Sequence, residues 1–282
     1  MPLTPQELIR NLGDLPPLPQ VAARVLRISA DSDASARDLQ KVISTDQALS
    51  AQILKISNSA MFGMVREVTT LTQAIMTLGF STTRSVVVAS SVKNLYSRGI
   101  VGQHERLMWQ HSLVAALASS AYGRVLRFPR ADEAFLAGLM HDIGKSVLVT
   151  KLPETYLTLV RRIQEGEGDG LSLELDTFGF DHAMVGEALL RAWNISEGIQ
   201  QAARWHHDPG QADPAHATLV ALVALGNHMA VGLEAGLERA EALVPATLEA
   251  RRILGLDPET HAAHEASVLE ALEKDKALLT EF

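Results

Sequence analysis

The stretch Ala134–Val149, AFLAGLMHDIGKSVLV, carries apolar residues at nearly every position around a helical wheel. Phe135, Leu136, Leu139, Met140, Ile143, Val147 and Leu148 leave little polar face to meet water, so the segment reads as a helix enclosed by other helices. Outward from it, almost every segment with a clear period repeats at about 3.6 residues, and none shows sustained two-residue alternation between hairpin turns. The expected fold class is all-α.

Upstream, Thr4-Pro5-Gln6-Glu7 forms a capping box that opens a helix to about Asn11, and the proline-rich Leu15–Pro19 ends it as a rigid turn. Helices are then expected from Pro19 to about Ser29, from Ser35-x-x-Asp38, and from Asp46, the last with Leu49, Ile53, Leu54 and Ile56 as its buried stripe. Met61–Val65 reads as a loop with apolar anchors, followed by helices at Thr72–Leu78 and Ser81–Tyr96. The pattern lapses between Ser97 and Gly102, which places a boundary near residue 100. Beyond it come helices at about Gln103–Leu126, Ala131–Thr150, Pro153–Glu165, Asp181–Trp193, Ser196–His206 and Pro214–Gly236, and one from about Pro258. Gly166–Gly170, with three alternate glycines, reads as a surface loop. The chain thus divides into 1–100, an amino-terminal helical part; 101–240, a helical bundle; and 241–282, a carboxy-terminal helical extension.

The 282 residues include 25 Lys and Arg against 33 Asp and Glu, a net charge of −8, and no cysteine. Disulfide scaffolds, thiolate metal sites and cysteine nucleophiles are excluded, so any metal must sit on imidazole, carboxylate or amide. The acidic balance disfavours nucleic acid and anionic membranes as partners. The longest apolar runs, Ser85–Val92 and Thr218–Gly226, are too short to span a bilayer, and the amino terminus lacks the features of a secretory signal. A cytoplasmic location is expected.

His141 and Asp142 lie side by side in the buried stretch. Their burial costs several kcal/mol unless each is paired, hydrogen-bonded or bound to metal. Adjacent helical residues point about 100° apart, so either each has its own partner in the core or a shared ion serves both. His111 in an apolar helix, His182 at a helix start, and His206-His207 at a helix end supply further imidazoles. Imidazoles from four separate segments plus one carboxylate suit Fe, Mn, Zn, Co or Ni. Lys145, one turn after His141, could hold a phosphate or neutralise a carboxylate. His104, His216, His261 and His264 sit among polar, charged or small residues and are expected to be solvated.

HDIGK at His141–Lys145, with His111 before it, resembles the central motif of the HD superfamily of metal-dependent phosphohydrolases. LPPLPQVAARVL at Leu15–Leu26, ISTDQALSAQILKISNSAMFG at Ile43–Gly63 and LTQAIMTLGFSTTRSVVVAS at Leu71–Ser90 resemble the HDOD family still more closely. HDOD domains resemble regulatory relatives of the HD-GYP phosphodiesterases that hydrolyse cyclic di-GMP. The resemblance implies an HD-like bundle over 101–240 and one or two divalent transition metal ions, foremost Fe or Mn, with Zn, Co or Ni as alternatives. It assigns His111, His141 and Asp142 to one ion, with Asp142 bridging to a second held by His182, His206 and His207. The family's last ligand is an Asp, and Asn227 stands at that position within Ala224–Ala230. His206–Asp213, HHDPGQAD, lacks the GYP element of the phosphodiesterases. These departures imply a signal-transduction module that binds signalling proteins and keeps a metal site. The alternative is a phosphohydrolase acting on a nucleotide or other phosphoester through Asp142 and Lys145.

Overall fold

Short capping signals start the amino-terminal helices. Helix α1, Gln20–Ser29, buries Ala22 and Val25. Helix α2, Ala36–Ile43, begins where the Asp38 carboxylate accepts hydrogen bonds from the Ser35 N–H at 3.1 Å and the Ser35 hydroxyl at 2.6 Å. Helix α3, Gln47–Ser57, is capped by Asp46, whose Oδ1 accepts from the Leu49 N–H at 3.0 Å. Leu49, Ile53 and Ile56 form its buried face, with Leu54 at the margin. The computed structural model describes residues 20–29, 34–58, 67–96, 102–233 and 240–274, and among them fourteen α-helices and no strand occur. The expected Thr4–Asn11 helix, the Leu15–Pro19 turn, the Met61–Val65 loop and the joint beginning at Ser97 lie outside the described residues.

Asn58 fastens the end of α3 to the segment that leads into the next helix. Its amide nitrogen donates to the carbonyls of Leu54 at 2.9 Å and Val68 at 2.8 Å, and its Oδ1 accepts from the Val68 N–H at 2.7 Å. Asn58→Ala is expected to cost about 1–3 kcal/mol, since each such bond contributes about 0.5–1.5 kcal/mol net. Urea unfolding measures it, and an unchanged midpoint would mean that water replaces the clasp. Helix α4, Leu71–Tyr96, is interrupted at Gly79, with φ 77° and ψ 169°, which divides it as the sequence predicts. Only glycine adopts that conformation without strain.

Helices α5 (Gly102–Val125), α6 (Ala131–Met140) and α12 (Ala217–Gly232) form the centre. Their close approach is set by two glycines that abut one turn of α5. A Cβ on Gly138 would lie 2.8 Å from the Ala115 carbonyl oxygen, and one on Gly226 would lie 2.7 Å from the same atom. This brings the turn after His111 against the turn before His141 and the residue next to Asn227.

The helix expected to run unbroken from Ala131 to Thr150 is in fact two. Helix α6 ends at Met140 and α7, Ile143–Lys151, begins after His141 and Asp142. Helix α4 packs on both α6 and α7, so the amino-terminal helices rest on the pair that brackets these two residues. Helix α8, Pro153–Glu165, stops at Gly166 in the left-handed region. The supposed loop after it gives way at Gly170 to an unforeseen helix, α9, Gly170–Phe178, whose cap Asp169 accepts from the Ser172 N–H at 2.9 Å. Helices α10 (His182–Ala192) and α11 (Glu197–Trp205) follow. Helix α13, Val244–Ile253, is the second one the sequence did not reveal, and α14, Pro258–Lys274, lies on α5 with Val268 and Leu272 buried. No helix among the described residues is long and apolar enough to cross a membrane.

Candidate metal centre

The interruption between α6 and α7 falls at His141 and Asp142, and both side chains are buried. His141 Nδ1 lies 2.6 Å from the carbonyl oxygen of Gly138, three residues back. A carbonyl only accepts, so Nδ1 carries the proton and Nε2 presents a lone pair. The same logic holds for His206, just beyond the end of α11: its Nδ1 faces the carbonyls of Ala202 at 3.2 Å and Ala203 at 3.0 Å. His182, the first residue of α10, has Nδ1 2.7 Å from Glu174 Oε2, and the same oxygen accepts the His182 backbone N–H at 2.7 Å.

The Nε2 atoms converge on Asp142. Its Oδ1 lies 3.2 Å from His182 Nε2 and 3.6 Å from His206 Nε2, and its Oδ2 lies 3.4 Å from His111 Nε2 and 3.5 Å from His141 Nε2. His207 Nε2 is 3.2 Å from His182 Nε2, and His111 Nε2 is 3.2 Å from His141 Nε2. Two donor sets result, Asp142 with His182, His206 and His207, and Asp142 with His111 and His141; within each, the donor atoms all lie within 4.8 Å of one another. Neighbouring ligands of one ion, each about 2.0–2.2 Å from it, stand about 3–3.5 Å apart, so these separations suit a metal. Asp142 Oδ1 and His206 Nε2 are buried without a hydrogen bond, which leaves two acceptors facing each other. A cation between them removes that penalty. The residues therefore fit a divalent ion.

Charge is arranged around the shared carboxylate. Burial works against the ionised form of Asp142, but its neighbours, the Lys145 ammonium among them, outweigh it, and its pKa falls well below the ordinary carboxylate range. Lys145 Nζ is 2.7 Å from Asp142 Oδ2. The lysine thus takes the second of its two expected roles, neutralising a carboxylate. Burial pushes the His141 pKa down to about 3, so its ring is neutral. In His182 burial acts in the same direction, yet the Glu174 carboxylate overrides it and raises the pKa to about 10. A proton on His182 Nε2 competes for the place a metal ion would take.

Asn227 is buried on α12, and its Oδ1 has no hydrogen-bond partner among the described residues. All six of the other residues singled out as ligands are thus brought together, with Lys145 beside them. Glu174 was not foreseen; a carboxylate between Leu173 and Leu175, eight residues before a candidate ligand, is the signal that could have found it. His261 is not solvated as expected but buried, its ring stacked on Tyr122 with centroids 6.3 Å apart. Stacked on the Tyr122 ring, the imidazole buries as an aromatic side chain does.

The sequence pattern of the HDOD domain matches residues 15–209, well over half of the chain. The chain belongs to the HDOD domain family. An HDOD protein of unknown function from Geobacter sulfurreducens superposes with a TM-score of 0.74 at 21% identity, covering 95% of this chain and 96% of that one. A protein of Shewanella amazonensis SB2B, provisionally named a phosphohydrolase, gives a TM-score of 0.74 at 23% identity, over 95% and 97% of the two chains. A Marinobacter aquaeolei VT8 protein, provisionally named for signal transduction, gives 0.72 at 23% identity, over 98% of this chain and 60% of that one. At these identities the likeness is one of fold. An uncharacterised Treponema pallidum protein is 26% identical over 224 residues, 77% of this chain, and this chain spans only 42% of its length. The HDOD fold accounts for the placement of α5, α6, α7, α10 and α11 around Asp142.

Proposed function

We propose that this chain is a cytoplasmic signal-transduction HDOD module that binds partner proteins, retains a divalent transition metal and does not hydrolyse cyclic di-GMP. The observation that carries this reading is the inequality of the two donor sets. The set on Asp142 Oδ1 has three imidazoles beside the carboxylate. The set on Oδ2 has two, shares its oxygen with Lys145, and has only the neutral amide of Asn227 at the position of the family's further carboxylate. An amide binds a transition metal less strongly than a carboxylate. Fe or Mn suits the imidazole and carboxylate donors, with Zn, Co or Ni as alternatives. The division into residues 1–100, 101–240 and 241–282 assigns the ion to the middle part and partner contacts to the helices flanking it.

Lys145 supports a second reading, a phosphohydrolase, because its ammonium stands beside Asp142 where a phosphoester could be held. A divalent ion bound there would polarise a phosphoester oxygen and acidify a bound water. Asp142 would then hold that ion and Lys145 would offset the phosphate charge. A nucleotide or other phosphoester could equally be a ligand that is bound but not cleaved. The two readings separate when metal content and turnover are measured on the parent, on Asn227→Asp and on the His206→Ala/His207→Ala double variant. The parent is expected to hold metal without turnover, the double variant to lose it, and Asn227→Asp to hold more than the parent. Parent turnover of cyclic di-GMP at about 1 per second or faster, an ordinary enzyme rate, would overturn the non-catalytic reading.

A further inference from the structure

The imidazoles around Asp142 are not backed alike. His141 and His206 turn their Nδ1 atoms to main-chain carbonyls, whereas His182 turns its Nδ1 to a side-chain carboxylate. That carboxylate belongs to Glu174, which is 1% exposed and accepts both the Nδ1–H and the backbone N–H of His182 through the same oxygen. Its helix is fixed at either end, by the Asp169 cap and by Gly179 in the left-handed region at φ 78°. Glu174 therefore cannot swing away without breaking two buried hydrogen bonds.

We infer that Glu174 is a positioning residue that orients His182 and makes the Asp142–His182–His206–His207 set the one that takes the first metal ion. This rests on the metal-site reading above and extends it by naming the residue that ranks the two positions. A carboxylate behind an imidazole locks the ring, keeps the proton on the far nitrogen and strengthens the near nitrogen as a donor. Charge acts in the same sense. An ion on the Oδ1 side has the shared Asp142 in front and Glu174 behind His182. An ion on the Oδ2 side has the same Asp142 and meets Lys145, whose Nζ is 2.7 Å from that oxygen. Like charges at such range repel strongly in a buried site.

The test is titration of the metal-free full chain with Co2+, followed by its absorption spectrum and by equilibrium competition with a chelator. The parent is expected to bind one equivalent tightly before a second. Glu174→Gln keeps the side-chain length and an oxygen able to accept both N–H groups, and is expected to weaken the first equivalent about 10–100-fold, as loss of an outer partner typically does. Glu174→Asp, which keeps the charge, is expected to fall between the two. His207→Ala should weaken the first equivalent while His111→Ala leaves it unchanged, and this pair reports the filling order even if the Glu174 variants fail to fold. A folded Glu174→Gln with the parent's affinity would overturn the inference, as would loss of the first equivalent in His111→Ala instead of His207→Ala. A parent that binds no ion overturns the metal-site reading as well, so the two failures are distinguishable.

Discussion

Gly144→Ala is expected to destabilise the protein by about 1–3 kcal/mol or more and to lower its metal content together with its melting temperature. A Cβ at residue 144 would stand 1.9 Å from the carbonyl oxygen of His182 and 2.7 Å from the backbone nitrogen of Gly186. Both obstacles are backbone, so no side chain can rotate out of the way. Helix α7 must instead back away from the first turn of α10. Asp142 leads into α7 and His182 opens α10, and their facing atoms are 3.2 Å apart. A shift of about an ångström is half a metal–ligand bond length, so the same movement that relieves the clash opens the donor set. Gly232→Ala is the control: it also lies in a helix, but nothing stands within 4 Å of its Cβ position, and it is expected to leave stability and metal unchanged. Thermal unfolding with elemental analysis of all three proteins decides it. A Gly144→Ala protein that melts like the parent would show that α7 and α10 do not touch there.

This gives the fourth position of HDIGK a reason that spacing alone could not supply. The residue types at the site were legible because buried ionisable groups are costly, and His111, His141, Asp142, His182, His206 and His207 were the ones in apolar or helix-terminal settings. Their convergence followed from the family resemblance. The interruption at His141–Asp142 was not legible, because apolar residues continue on both sides and no proline or glycine marks a stop within those two positions. Helix α9 was hidden by Gly166–Gly170. Three glycines suggest a loop, yet Asp169 caps the chain just as the last of them begins the helix. Glu174 lies on that helix and is hidden with it. The burial of His261 is hidden in the sequence for a simpler reason: its neighbours along the chain are small or polar, while the ring that covers it, Tyr122, is 139 positions away on α5.

Asp142→Asn is expected to remove essentially all bound metal, a larger loss than any single histidine variant, because both donor sets use this carboxylate. The substitution preserves shape, so the loss would report charge. An amide contributes one neutral oxygen, and its NH2 group would point at one of two sets of imidazole lone pairs, where it cannot ligate. The effect on stability runs through Lys145. Its side chain is 11% exposed and that of Asp142 is 6%, so the pair is buried, and removing the anion leaves a cation without its 2.7 Å partner. Breaking such a pair costs about 3–5 kcal/mol when nothing replaces the lost charge. The Asn oxygen can still accept a hydrogen bond from Lys145, which places the expectation near the lower end of that range. Lys145→Met separates the two contributions, since it removes the cation and leaves both donor sets whole. It is expected to retain the first ion, while Asp142→Asn does not. Metal bound by Asp142→Asn at the parent's stoichiometry would show that the imidazoles suffice, and that the carboxylate at the centre of the cluster serves only to neutralise Lys145.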